Sequence, residues 1–417
     1  MMNRTIAMIS LAACMGWAAS SGLTPEGQRW WKHVEYLASD QLEGRGTGTA
    51  EYQKAAEYVA SRFHDAGLKQ AGTQDYFQPV RFDVTRLDET RSAMALLDGG
   101  TRIPIAIGPD AILGKRGETG SFEAEAVFAG YGLTIPEANY DDLRGLDLNG
   151  KIVVYLSGAP APISGPLKSH YQSFEQRWRF LKAAGAVGFA AILNPKAMDV
   201  PWSRVASSRG NPAMTLIDAG NTDDKGLRFS LTINPTAANR FLAGSGHTVA
   251  ELLADADSRR LLPHFPLQRR IAVTQTFVHS NAESPNVAGV LEGDDLNLRN
   301  EYVILSAHLD HLGIGAPVHG DRIYNGALDN AAGIASLIEI ARHLHDSGVR
   351  LRRSVLFLAV TAEEKGELGS QYFAAHPTVP SGGIVADINM DMFMPLFPLR
   401  YLEVQGLGES TLGASIR

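Results

Sequence analysis

Cysteine is all but missing from this sequence: Cys14 is the one cysteine in 417 residues, so no intramolecular disulfide can form and the fold must rest on its core. An excess of charge is missing too. With 38 basic against 45 acidic residues, a net charge of −7 gives no electrostatic footprint for nucleic acid or an anionic membrane. A membrane-spanning run is also lacking. The one long apolar stretch, Thr5–Ala19, falls short of the roughly 20 residues that cross a bilayer. It follows Arg4 and precedes Ser20, Ser21 and Gly22, the pattern of a cleavable secretory signal over residues 1–21. The expectation is export to a periplasmic or secreted location without stable membrane insertion. Leu11-Ala12-Ala13-Cys14 resembles a bacterial lipoprotein box, but the apolar run continues through Met15–Ala18, so anchoring through Cys14 ranks second.

What is present is ordinary globular material for two to three domains, 45% hydrophobic and 20% charged, with no internal repeat. Residues 26–69 carry helical periodicity twice, around Trp30, Val34 and Leu37 and again around Ala55, Val59 and Phe63, closed by Gly67. Between the two helices lies LEGRGTGT. No strand precedes it and no Lys-Ser/Thr follows it, so it reads as a structural loop rather than a phosphate cradle. From about Phe122 the texture shifts to short strands and turns, with Ile152–Leu156, a helix from Phe174 and Val187–Leu193 forming a strand-helix-strand pattern. Leu252–Pro266, charged and proline-punctuated, reads as a return linker. Beyond it Asn286–Leu291, Tyr302–Ala307, Ser354–Val360 and Gly383–Asn389 read as strands, with a helix over Ala331–His345. Apolar runs of this kind suit an α/β fold, a mostly parallel or mixed central sheet sandwiched by helices.

The polar residues of this last region fall at strand ends. His308 and Asp310 follow the Tyr302 strand, Glu363 and Glu364 follow the Ser354 strand, Asp391 follows the last one, and Asp329 opens the helix before Ala331. Each alone has an ordinary explanation. A His-x-Asp is common by chance, a Glu-Glu pair is usually a solvated turn, Asp329 could be a helix cap and Asp391 a turn residue. Together they must share one rim of a parallel sheet. Carboxylates brought within contact distance repel by several kcal/mol at an effective dielectric of about 20, so protons or metal ions must occupy the cluster. Histidine mixed with Asp and Glu suits zinc or a similar divalent ion, and the number of candidate ligands exceeds what one tetrahedral ion takes. His311, His319, His343, His345 and His376 do not sit at strand ends and are left as structural.

The segments SAHLDHLG, NGALDNAAGIA, AVTAEEKGELGS and DINMDM resemble, in order and spacing, the metal-site motifs of the M28 family of di-zinc aminopeptidases. LASDQLEGRGTGT resembles the family's opening segment. FAGYG, DLNGKIVV and KAAGAVGFAAIL resemble a protease-associated (PA) insert domain. After the signal peptide over 1–21, the resemblance implies the N-terminal part of the peptidase domain over 22–120, a β-rich PA-like insert over 121–255 and a metal-binding catalytic domain over 256–417.

It further implies two zinc ions, with His308 and Asp391 on one, Glu364 on the other and Asp329 bridging both through a cis peptide bond to Asn330. Asp310 would orient the His308 imidazole, and Glu363 would be the general base acting on a metal-bridging water. Peptides are the implied substrates. One feature departs from the family pattern: a late histidine should complete the second ion, and no histidine follows Asp391. The expectation is therefore a catalytic domain incomplete at its C-terminus and a second zinc site short of a ligand. Two other readings stay open, a non-catalytic binding protein on the same scaffold and a carboxypeptidase or glutaminyl-cyclase-like relative. Zinc content separates the first from the leading reading, and dependence of cleavage on a free amine separates the second.

Overall fold

The computed structural model describes residues 24–198, 200–218, 224–392, 403–408 and 410–416. The expected signal peptide and Cys14 lie outside the described residues. Among those described, no helix is long and apolar enough to cross a membrane. The chain divides into two compact units, the first made of residues up to Pro79 with Ser284–Ile314 and Ile323–Arg400, the second of Val80–Glu283 with Gly315–Arg322 and the residues from Tyr401.

The first unit begins with α1 (Pro25–Leu37), where Thr24 accepts the N–H of Gly27 and Pro25 occupies the first turn, and α2 (Ala50–Asp65), capped by Thr49 on the N–H of Tyr52. Then come β1 (Lys69–Gln70), the first residues of β2 (Phe77–Leu87) and the end of β3 (Phe277–Leu291). The remaining elements are β4 (Tyr302–His308), α3 (Ala332–Asp346), β5 (Ser354–Val360), α4 (Leu368–Ala375) and β6 (Ile384–Asn389). Strand order runs β2-β3-β5-β4-β6, with β1 antiparallel to β3. β3 is antiparallel to β5, whereas β4 runs parallel to both β5 and β6. The carboxyl ends of β4, β5 and β6 therefore share one rim.

β5 shows why this sheet is a middle layer. Val355, Phe357 and Ala359 enter one core with Val59, Phe63, Ile334, Leu337 and Ile338, while Leu356, Leu358 and Val360 enter another with Ile304 and Phe373. Every residue of β5 is buried. The amphipathic stripe Ile334, Leu337, Ile338 and Ala341 seats α3 on one face, and α4 covers the other through Phe373. β6 differs from the expectation of burial on both faces. Only Ile384, Ala386 and Ile388 turn partly inward, the alternation of a strand whose single partner is β4 among the described residues.

The second unit, mainly Val80–Glu283, contains the expected insert segment 121–255. Its six-stranded sheet carries three parallel pairings that join Ala126–Ala129, Ile152–Leu156, Gly188–Ile192 and Phe229–Ile233. The helix Phe174–Ala183 makes the crossover between the second and third of these strands, as the strand-helix-strand pattern predicts. A four-stranded antiparallel sheet of Thr101–Ile105, Ala93–Asp98, Arg270–Gln275 and Gly120–Ala124 completes the unit. The expected linker Leu252–Pro266 is structured. A capping box between Thr248 and Glu251 starts a helix that runs Val249–Asp257, and His264–Pro266 forms an edge strand.

Candidate metal centre

Three chain exits build the rim, and each is fixed by its own hydrogen bonds. Beyond β4, the N–H of Leu309 donates to the carbonyl of Val360 at 2.8 Å and carries the pairing past His308. Beyond β5, buried Thr361 donates its N–H to Asn286 Oδ1 and its hydroxyl to Ser284 Oγ, both at 2.9 Å. Ala362 then takes the left-handed conformation, φ 55°, and turns the chain into a single 3₁₀ turn carrying Glu363 and Glu364. At the end of β6, the Met390 carbonyl accepts Asn330 Nδ2 at 2.9 Å, while Asn330 Oδ1 accepts the N–H of Gly333 at 2.9 Å. One fully buried amide thus ties the start of α3 to the exit of β6. This brings Asp329 beside Asp391. The Asp329–Asn330 peptide bond is cis, matching the expectation.

The side chains converge in two groups that share Asp329: His308, Asp329 and Asp391 in one, His311, Asp329 and Glu364 in the other. In the first, His308 Nε2 lies 3.0 Å from Asp329 Oδ1 and 3.4 Å from Asp391 Oδ1. In the second, His311 Nδ1 lies 2.7 Å from Glu364 Oε1 and 3.7 Å from Asp329 Oδ2. Ligand atoms on tetrahedral zinc, with bonds of 2.0–2.1 Å, stand about 3.3 Å apart, and both groups bracket that value. The two oxygens of Asp329 face different histidines.

The donor set also fits a cation by its hydrogen bonding. His308 Nδ1 donates to the main-chain carbonyl of Asp310 at 2.9 Å, which leaves Nε2 of the neutral ring with a lone pair aimed at two carboxylates. Lone pair against lone pair repels unless a proton or a metal ion stands between them. His308 Nε2, His311 Nδ1 and Glu364 Oε1 are buried without a hydrogen-bond partner. Burial alone would depress the His308 imidazole, but Asp329 and Asp391 beside it, with the charges of Asp310 and Glu363, lift its pKa to about 11 when a proton fills the place. Asp329 responds in the opposite sense, held below the usual carboxylate range chiefly by His308.

Asp310 and Glu363 complete the site. Asp310 is fully buried, and its carboxylate accepts Thr47 Oγ1 at 2.9 Å, the N–H of Glu363 at 3.0 Å and the N–H of Glu364 at 3.3 Å. It does not hold the imidazole as expected: the carboxylate stands 3.9 Å from His308 Nδ1, and the residue's own carbonyl makes that bond. Glu363 Oε2 lies 4.0 Å from His308 Nε2, at the edge of the first group. Burial, reinforced by Asp310, Glu364 and Asp391 against the pull of His308, raises its carboxyl to about 7. A carboxyl poised there can take and return a proton near neutrality.

Arg45 explains the glycine-rich loop. Its guanidinium is buried and donates to the carbonyls of Leu309, Leu37, Asn325 and Gly326, so it clamps the β4 exit to the loop before α3. The loop is structural, as its sequence suggests. His311, read as structural from the sequence, joins Asp329 and Glu364 in the second group. It lies beyond the strand end, where sheet geometry no longer dictates direction, and only its nearness to His308 in HLDH hinted at a role. Met390 packs against the core, Met392 is exposed, and Phe393 and Met394 lie outside the described residues.

Over 120 residues the chain is 29% identical to carboxypeptidase Q of Xenopus laevis, an alignment covering 28% of this chain and 23% of that protein's length. An aminopeptidase from Aneurinibacillus sp. strain AM-1 shares its fold, at 19% identity and a TM-score of 0.51 over 88% of this chain and 70% of its own. A zinc aminopeptidase from Bacillus subtilis aligns over 88% of this chain and 69% of its own, at 19% identity and a TM-score of 0.44. Residues 286–417, which hold both groups together with Asp310 and Glu363, match the model of Peptidase family M28.

Proposed function

We propose that this chain is an exported, zinc-dependent aminopeptidase that removes N-terminal residues from peptides. The observation that carries the reading is the pair of ligand groups joined through Asp329, each with buried donor atoms lacking a hydrogen-bond partner. His308, Asp329 and Asp391 would hold one zinc ion, and Asp329 with Glu364 would hold a second. Zinc bound there supplies Lewis acidity toward a peptide carbonyl and acidifies water.

The protein's own residues do the rest. Glu363, with a carboxyl near neutrality, takes the proton of the attacking water on its carboxylate and returns it to the leaving amine. The Asp310 carboxylate, through the N–H groups of Glu363 and Glu364, keeps that turn in place while the proton moves. His308, its Nδ1 committed to the Asp310 carbonyl, presents Nε2 in one fixed tautomer. The 121–255 segment would be a PA-like insert that supplies no ligand, since neither group draws on it.

The match to carboxypeptidase Q supports a second reading, cleavage at the other end of a peptide. A non-catalytic binding role is disfavoured because His308, Asp329, Glu364 and Asp391 all keep ligating side chains and converge. The test is zinc analysis of the purified chain with two substrates, an aminoacyl anilide and an N-acetylated peptide with a free carboxyl terminus. One tightly held zinc ion, a second held more weakly, and cleavage that requires the free amine are expected. Cleavage of the N-acetylated peptide alone would transfer the case to the carboxypeptidase reading, and zinc-free protein would refute both.

A further inference from the structure

We propose that a cavity in the second unit binds the free carboxyl end of a peptide whose last residue is apolar. No residue lining it belongs to either ligand group, so the proposal stands apart from the metal centre. The cavity measures about 420 Å³, within the range of about 300–1,000 Å³ usual for small-molecule sites. Tyr131, Tyr140, Pro160, Ile163 and Leu261 supply apolar walls, and Arg259 lines its edge.

The walls are built in advance of any ligand. Tyr131 belongs to FAGYG, a segment the metal centre does not use. Gly130 and Gly132 flank it at φ +53° and +61°, and a Cβ at Gly130 would stand 2.5 Å from Asp142 Oδ1, so glycine lets the turn close on that carboxylate. Buried Asp142 then ties both tyrosines. Its Oδ2 accepts the N–H of Tyr131 at 2.9 Å and that of Leu133 at 3.2 Å, and its Oδ1 accepts the Tyr140 hydroxyl at 2.5 Å. Arg177, also buried, donates to the carbonyls of Tyr131 and Gly132 at 2.5 and 3.1 Å. Little ordering is left for a ligand to impose.

Charge identifies the polar end of the ligand. The acids around the cavity are already answered: Glu137 accepts the Tyr171 hydroxyl, Asp142 is filled by the bonds above, and Asp255 pairs with Arg260. Among the described residues no acid pairs with Arg259. Its backbone makes the choice of arginine costly. Just past the helix Val249–Asp257, the N–H of Arg259 donates to the Ala256 carbonyl at 3.1 Å and that of Arg260 to the Asp255 carbonyl at 2.9 Å, the helix ending at which glycine is the rule, and Arg259 takes φ +56°. What arginine adds there is an unanswered guanidinium beside an apolar cavity. The helix Gly165–Gln172 adds to the same field, because Ser164 opens it without a side-chain cap and lines the cavity. A carboxylate complements both. Leu261, 80% exposed at the lining, offers apolar surface for a ligand to cover. The hydroxyls of Tyr131 and Ser164, without hydrogen-bond partners among the described residues, suit peptide amides, whereas an alkyl chain would use neither.

The test is calorimetry on the full chain with the N-acetylated tripeptide Ala-Ala-Leu, as free acid and as carboxyl-terminal amide, with and without EDTA. Saturable binding of the acid is expected, about 10-fold tighter than that of the amide. Arg259→Asn, which suits the left-handed backbone, should weaken the acid by about 10-fold and erase the preference for it over the amide. Ala161→Trp, which fills the cavity from an exposed position, should abolish binding. EDTA should change none of these results, so a failure of the zinc reading leaves them intact. Equal affinity for acid and amide in the wild type, or binding undisturbed by Ala161→Trp, overturns the proposal. Binding that EDTA abolishes overturns it by placing the peptide on the metal centre, and tighter binding of dodecanoate than of the peptide overturns it in favour of a lipid.

Discussion

The buried carboxylate of Asp310 accepts the main-chain N–H of Glu363 at 3.0 Å, and that bond couples the exit of β4 to the exit of β5. His308 and the two glutamates therefore do not position themselves separately. A residue two beyond the imidazole holds the turn that carries the candidate base, and it holds Thr47 from the N-terminal loop as well.

Replacing Asp310 by Asn should expose that dependence. An amide offers one acceptor and one donor where three donors now converge, so an N–H or hydroxyl is left facing an NH₂ group. Loss of about 1–3 kcal/mol in denaturant unfolding of the metal-free protein is expected, with zinc affinity falling by about 10- to 100-fold. Thr47→Val, which removes one of the three bonds, should have the smaller effect. Equal stability and zinc affinity in Asp310→Asn would show that the clamp is incidental.

Glu363→Gln should separate binding from turnover. The residue sits at the margin of the first ligand group, 4.0 Å from His308 Nε2, and belongs to neither set. Zinc content should stay unchanged while kcat falls by ~10²- to 10⁴-fold, the range for a positioned general base. Loss of zinc in this variant would make Glu363 a ligand instead.

Zinc uptake should release a proton from His308. In the metal-free protein its folded pKa, about 11, lies above the unfolded value near 6.5, so protonation stabilises the fold fully below about pH 6.5. That contribution is lost as pH rises through 11. Near neutrality zinc must displace the proton, and affinity should rise about tenfold per pH unit for each proton displaced. Calorimetric titrations in buffers of different ionisation enthalpy should report about one proton from this residue, absent in His308→Gln. Proton-independent zinc binding in the wild type would contradict the geometry at Nε2.

Arg45→Met should be among the most damaging single changes in the first unit. Four main-chain carbonyls lose their donor, and the β4 exit loses its tie to the loop before Asp329. More than about 3 kcal/mol of stability should go, by the cost of unsatisfied buried groups. Arg45→Lys should rescue little, because a single ammonium cannot reproduce the guanidinium fork. A lysine variant as stable as wild type would reduce Arg45 to space filling.

The main strands and helices of the first unit were legible because their signals are local. A run such as Ser354–Val360, apolar on both faces, can be satisfied only between two layers of side chains, and it forms the strand with those bounds. His308, Glu363, Glu364 and Asp391 were legible for a related reason: parallel strands bring their carboxyl ends to one rim whatever the loops do. β6 was misjudged because burial of a strand depends on its neighbours, and neighbours are not written in its own residues.

The loops escaped for the same cause. Nothing local in SAHLDHLG says that the Asp310 carboxylate turns away from its histidine toward the N–H groups of Glu363 and Glu364, which stand more than fifty positions along the chain. Nor does it say that His311 turns back toward Glu364. The Arg45 carbonyl holds the His311 main chain and the ring lies in the space above Gly326, contacts distant in sequence that exist only once the chain is folded. Residue types and strand ends, set by local patterning, determined which groups could meet. The long-range hydrogen bonds of three buried residues, Arg45, Asp310 and Asn330, decided how they meet, because a buried donor or acceptor must find its partner wherever the chain has put it.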